Sequence, residues 1–359
     1  MKKIIILSSA VWLCLGLSCT KEATENQAAT LTKSKQVTSA TTLATSTTSF
    51  AYGSDVSWVT QMEASNYKFY NSSGTQQDLF TVLKGLGITS IRLRVWVNPS
   101  AGWNNITDVV AKAKRAAAAG MNILIDFHYS DTWADPGDQT KPAAWAGYST
   151  STLISTVYSY TYSALNTLKS NGITPTWVQV GNETSDGMLW QDGRASVSTT
   201  TFQNFASMVL NGYNAVKAVF PSAKVIVHVA NGFNNTTTRW IFDGLKAYGA
   251  KWDVCGFSIY PTTSNWSTID SECLTNMNDM VSRYGKQVMI CEAGMDVTAA
   301  STCKSFLTDL ITKVKSVSGG NGLGLFYWEP EAYNSWQGYS MGAFDTSGKP
   351  TVAMNAFAH

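Results

Sequence analysis

Charge is scarce in this chain. Only 14% of its 359 residues are Asp, Glu, Lys or Arg, and the formal net charge is +2. A protein that tracks phosphates needs clustered Lys and Arg, so this balance excludes nucleic acid as a partner. Histidine is scarcer still, with only His128, His228 and the terminal His359. His128 and His228 with a carboxylate form the one conceivable metal-ligand set, but no H-E-x-x-H run and no clustered Cys/His spacing supports it. The expectation is an enzyme with no metal and no cofactor. A G-x-S-x-G elbow is missing, which removes the usual serine-hydrolase signature. No Gly-rich phosphate turn follows the first strand, which argues against an open nucleotide-binding sheet. The apolar run Ile4 to Leu17 is too short for a permanent membrane helix, which takes about 20 residues.

What stands at the N-terminus reads as export machinery. Lys2 and Lys3 precede the apolar run, and Ser18-Cys19 follows it, so residues 1–18 form a signal peptide. Ser18-Cys19 resembles a bacterial lipoprotein cleavage box, with ordinary secretion as the alternative. Cys14 and Cys19 are the only cysteines before Cys255, and nothing downstream accounts for Cys19. Residues 19–49 are rich in Thr, Ser and Ala and act as a tether, since they lack the apolar surface that offsets chain entropy. The expectation is an exported monomer, lipid-anchored through Cys19 to a bacterial membrane at the cell surface. Of the later cysteines, Cys255 and Cys291 fall in strands as buried thiols, and Cys273 and Cys303 fall in helices as a possible disulfide.

From residue 50 to 359 the chain alternates short β-type runs with longer helical stretches, the pattern of parallel strands joined by crossover helices. Eight strands are predicted: Ala51 to Trp58, Ser90 to Trp96, Asn122 to Tyr129, Trp177 to Glu183, Lys224 to Asn231, Asp253 to Tyr260, Gln287 to Glu292 and Leu323 to Glu329. Gly120, Asn171-Gly172, Tyr284-Gly285 and Gly319-Gly320 stop the helices before several of them. Thr107 to Ala119 reads as an amphipathic helix packing Val109, Val110 and Ala113 on the sheet. The fold class is therefore α/β, a (β/α)8 TIM barrel forming a single catalytic domain. Polar and aromatic residues gather at the downstream strand ends, the rim where barrels place their chemistry.

Glu183 and Glu292 end the fourth and seventh strands. Two carboxyls facing one sugar ring are the equipment of glycoside hydrolysis. A retaining enzyme needs one group that donates and then accepts a proton, and an ionised one about 5 Å away that attacks the anomeric carbon. Glu183 takes the first role in this reading and Glu292 the second, with Asn182 placed to hydrogen-bond the sugar 2-hydroxyl. Either glutamate alone reads as a solvated strand-end carboxylate. Arg92 and Arg94 share one strand face by period two and point into the barrel, where an unpaired guanidinium is costly. Pairing with Asp55 or Asp126 and contact with substrate are both open to them, and an Arg beside Glu292 keeps it ionised. His128, Trp133, His228, Asn231, Tyr260 and Trp328 complete the candidate substrate-binding set. Trp328 can floor a sugar site or simply fill the core.

Asp126-Phe127-His128-Tyr129-Ser130-Asp131-Thr132-Trp133-Ala134-Asp135-Pro136, with Val180-Gly181-Asn182-Glu183 and Phe326-Tyr327-Trp328-Glu329-Pro330, resembles glycoside hydrolase family 53, the endo-β-1,4-galactanases. Ile91 to Pro99 and Gly187-Met188-Leu189-Trp190 match as well, and the likeness runs from about Gly53 to Phe357. The resemblance implies a barrel of the large clan of retaining glycosidases, with Glu183 as acid/base, Glu292 as nucleophile and Arg92 as the buried clan arginine. It also implies internal cleavage of β-1,4-galactan side chains of pectin. Mannan or xylan hydrolysis by the same mechanism, or a surface glycan-binding lipoprotein without catalysis, are the competing readings. Two features depart from the family: Ala230 stands where members often carry Asp, and the segment Gly294 to Ser305 is too short for the calcium loop of some bacterial members.

Overall fold

The computed structural model describes residues 49–359. The signal, the tether, Cys14 and Cys19 lie outside the described residues. Eight parallel strands close into a barrel: β1 (Ala51–Asp55), β2 (Ser90–Val95), β3 (Asn122–Phe127), β4 (Trp177–Val180), β5 (Lys224–Val229), β6 (Val254–Ile259), β7 (Gln287–Ala293) and β8 (Gly322–Trp328). Each pairs with its sequence neighbours, and β8 closes on β1. Among the described residues eight α-helices connect and surround them: α1 (Val59–Ala64), α2 (Leu79–Gly85), α3 (Ile106–Ala118), α4 (Thr150–Ser170), α5 (Thr199–Val219), α6 (Asn235–Ala247), α7 (Trp266–Tyr284) and α8 (Ala300–Lys315). Asn105 starts α3 by accepting from the Asp108 N–H at 3.0 Å. Val109 and Ala113 of that helix are buried, and Val110 is only partly so.

Strand alternation sorts the side chains. Ile91, Leu93, Val95, Ile125, Phe127, Val178 and Val227 face outward and pack beneath the helices. Inside, Leu124, Trp177, Ile226, Met289 and Phe326 form an apolar layer, with Trp177 edge-on to Phe326 at 6.3 Å. Two residues further along the same strands stand Asp126, Gln179, His228 and Trp328. The barrel interior is therefore apolar at its base and polar beneath its rim, and that upper layer is where chemistry can be placed.

β1, β3, β4 and β5 stop two or three residues earlier than the sequence pattern predicts, β2, β6 and β8 stop one residue earlier, and β7 runs one residue further. Tyr129 (φ 52°), Glu183 (φ 44°), Asn231 (φ 54°) and Glu329 (φ 47°) all adopt the left-handed conformation, which breaks the ladder and turns the chain over the rim. The expected disulfide is corrected: Cys273 and Cys303 are free, buried thiols, as are Cys255 and Cys291. Cys303 Sγ lies 3.7 Å from the Tyr327 hydroxyl, and both cysteines act as small core residues between helix and sheet.

Candidate active site

Arg92 on β2 organises the polar layer. Its Nη1 lies 2.8 Å from Asp55 Oδ2 and 2.9 Å from Glu292 Oε1, and its Nη2 lies 2.8 Å from Asp126 Oδ2. Nη2 also donates to Asn182 Oδ1 at 2.8 Å, and Nε to Gln179 Oε1 at 3.3 Å. Burial by itself would lower the guanidinium; the charges of Asp126, Glu292 and Asp55 outweigh it and hold Arg92 well above its ordinary value. Five strands thus contribute to one buried cation cluster, and each hydrogen bond fixes a residue at the rim. Asn182 spends its carbonyl on Arg92 and one amide hydrogen on Ala134 O at 2.8 Å, which leaves one amide hydrogen uncommitted.

Glu183 and Glu292 line the same cavity, of about 240 Å³, together with His128, Trp133, Asn182, Tyr260 and Trp328. Their surroundings differ. Glu292 is buried against Arg92 and accepts from the Tyr260 hydroxyl at 2.8 Å. Burial raises its pKa, and the guanidinium and the hydroxyl oppose that rise. Glu183 has no cation in contact. Burial first, and then the charge of Glu292, push it up to about 8. The proton of the pair therefore sits on Glu183 at neutral pH, and the negative charge on Glu292 beside Arg92.

His128 donates through Nε2 to Asp126 at 3.0 Å, because its Nδ1 accepts from the Trp96 indole and the Ala134 N–H, each at 3.2 Å. Two further candidates, His228 and Asn231, do not line this cavity. His228 is fully buried and sits beneath the cavity, with Nδ1 2.9 Å from Asn182 Oδ1 and Nε2 2.8 Å from Ser258 Oγ. Burial, then the charge of Arg92, hold it well below its ordinary value, so it is neutral. Asn231 is exposed and has a left-handed backbone. Tyr339, which no strand signal announces, lines the cavity from the loop after β8 and donates to Trp328 O at 3.2 Å. A second cavity of about 500 Å³, walled by Trp58, Trp96, Trp103 and Trp133, shares Trp133 and Tyr339 with the first. The two spaces form one groove, half carboxylate and half aromatic.

A (β/α)8 barrel with two rim carboxyls in a sugar-sized cleft belongs to the class of glycoside hydrolases. The sequence profile of glycosyl hydrolase family 53 matches residues 51–357, and the chain belongs to that family. A probable arabinogalactan endo-β-1,4-galactanase A of Neosartorya fischeri is 35% identical over 305 residues, covering 79% of this chain and 84% of that protein. The arabinogalactan endo-β-1,4-galactanase of Thermothelomyces thermophilus is 33% identical over 85% of this chain and 98% of its own length. A solved fungal β-1,4-galactanase structure superposes with a TM-score of 0.79 at 31% identity, covering 86% of this chain and 99% of that one.

Proposed function

We propose that this protein is an endo-acting β-1,4-galactanase that retains anomeric configuration, with Glu183 as acid/base and Glu292 as nucleophile. The carrying observation is the unequal environment of two glutamates in one cavity, one beside a guanidinium and one without a cation. Glu292 attacks the anomeric carbon while Glu183 protonates the leaving oxygen, giving a galactosyl ester on Glu292. Glu183, now a carboxylate, takes a proton from water, whose oxygen displaces Glu292 and restores the starting state. Asn182 has an amide hydrogen to offer the 2-hydroxyl. The aromatic half of the groove supports internal cleavage, because its indoles offer apolar surface for sugars beyond the bond that breaks.

Glu183→Ala and Glu292→Ala should each lower turnover on β-1,4-galactan by orders of magnitude with the fold intact. Near-normal release of reducing ends by either variant rejects the assignment of roles. Faster hydrolysis of mannan or xylan in a substrate panel rejects galactan. Tight galactan binding without any reducing ends identifies a binder instead. The pattern Lys2-Lys3, apolar run, Ser18-Cys19 supports export and lipid anchorage at the cell surface. Labelled palmitate should enter the wild-type protein in its bacterial host and not Cys19→Ala; equal labelling rejects the anchor.

A further inference from the structure

Arg94 on β2 is buried with only 1% of its surface exposed, and it lines neither half of the groove. A buried guanidinium ordinarily spends its five N–H groups on oxygens. Here Nη1 pairs with Glu329, while Nε and Nη2 have no hydrogen-bond acceptor. Indole rings surround it instead: the guanidinium carbon lies 5.1 Å from the Trp58 centroid, 5.2 Å from Trp96 and 4.5 Å from Trp133. Those distances are in the range of cation–π attraction, which is strongest where water is excluded. All three indoles wall the aromatic cavity. They also touch one another, with Trp133 edge-on to Trp58 at 5.7 Å and to Trp96 at 5.2 Å.

The cation is itself anchored. Glu329 accepts from the Trp58 backbone N–H at 3.1 Å with its second oxygen, and burial, then the charge of Glu329, raise the buried carboxyl of Glu331 well above its ordinary value. We propose that Arg94 is the positioning residue of the groove: held by Glu329, it sets the orientation of three sugar-facing indoles from behind and so governs polymer binding rather than bond cleavage. This rests on the reading that the aromatic half holds galactosyl units.

Steady-state kinetics on β-1,4-galactan test it with three variants. Arg94→Lys keeps a charge opposite Glu329 but loses the planar face. Arg94→Met combined with Glu329→Gln removes the ion pair and leaves no orphan charge to unfold the chain. The double variant should raise KM roughly tenfold, the worth of the lost cation–π contacts, and Arg94→Lys, which keeps a cation without the planar fork, should raise it by less, both with kcat and the pH profile unchanged. Trp103→Ala, at a wall of the aromatic cavity that does not touch the carboxylates, is the control and should also raise KM. If Trp103→Ala raises KM and both Arg94 variants do not, the role assigned to Arg94 is wrong. If the Arg94 variants lose kcat in place of KM, the effect lies at the glutamates and the proposal fails. If Trp103→Ala itself leaves KM unchanged, the aromatic half does not bind polymer and the proposal falls with that reading.

Discussion

A proton on Glu183 and a charge on Glu292 are outcomes of side-chain neighbours alone. Glu183 is pushed up to about 8 by burial and then by Glu292, so it stays a general acid through neutral pH. The basic limb of kcat/KM should bend near pH 8, as the acid loses its proton. A pH–rate profile on soluble galactan checks this, and a limb that bends below pH 6 contradicts it. Removing the neighbouring charge has a defined sign. In Glu292→Gln the repulsion from the neighbouring charge disappears, so Glu183 should titrate at lower pH than in the wild type, read by carboxyl ¹³C NMR. At this scale the two glutamates were legible because strand ends carry polar side chains against an apolar background. The partner of Arg94 was not. Asp55 and Asp126 lie closer in sequence, but Glu329 meets it from β8 across the barrel, a contact that only the closure of the barrel creates.

Elements were legible wherever burial enforces a period. The alternation Ile91, Leu93, Val95 marks β2 because every second residue must face the helices. Strand ends were not legible, since polarity continues past the point where Tyr129, Glu183, Asn231 and Glu329 turn left-handed, and backbone dihedrals have no signature in residue type there. Tyr339 likewise reaches the groove from an irregular loop whose path no periodicity encodes. Close approach of β1 and β8 yields a prediction at this level. Gly53 is paired with Phe326, and a Cβ added to Gly53 would sit 2.2 Å from the Phe326 ring. Gly53→Ala must displace that ring from the apolar layer and should cost about 1–3 kcal/mol, seen as a Tm several degrees lower. An unchanged Tm would mean that the interior yields without cost.

For the whole molecule, buried acids make stability depend on pH in one direction. Asp270 of α7 is buried near Asp309 of α8, which pairs with Lys313 at 2.5 Å, and neither Asp270 oxygen has a hydrogen-bond partner. Burial, then the proximity of Asp309, move Asp270 from its ordinary 3.8 to about 8. The folded protein therefore keeps a proton that the unfolded chain releases above about pH 4. The stability this contributes is complete below that point and is lost as pH rises through 8. Glu183 adds to the same trend. Scanning calorimetry should show Tm falling between pH 5 and 9, and Asp270→Asn should flatten the decline; an identical slope in that variant rejects the assignment. The four cysteines of the described residues are free, buried thiols, so Tm should not respond to dithiothreitol.

Arg92 touches three carboxylates, and only one of them lies in the cavity. If Glu292 is replaced by a neutral residue, Asp55 and Asp126 still compensate the guanidinium, so the scaffold survives the death of the reaction. Catalysis in this barrel is thus a detachable property. A lineage that shed it would keep a folded, polysaccharide-holding groove, ready for a life as a lectin.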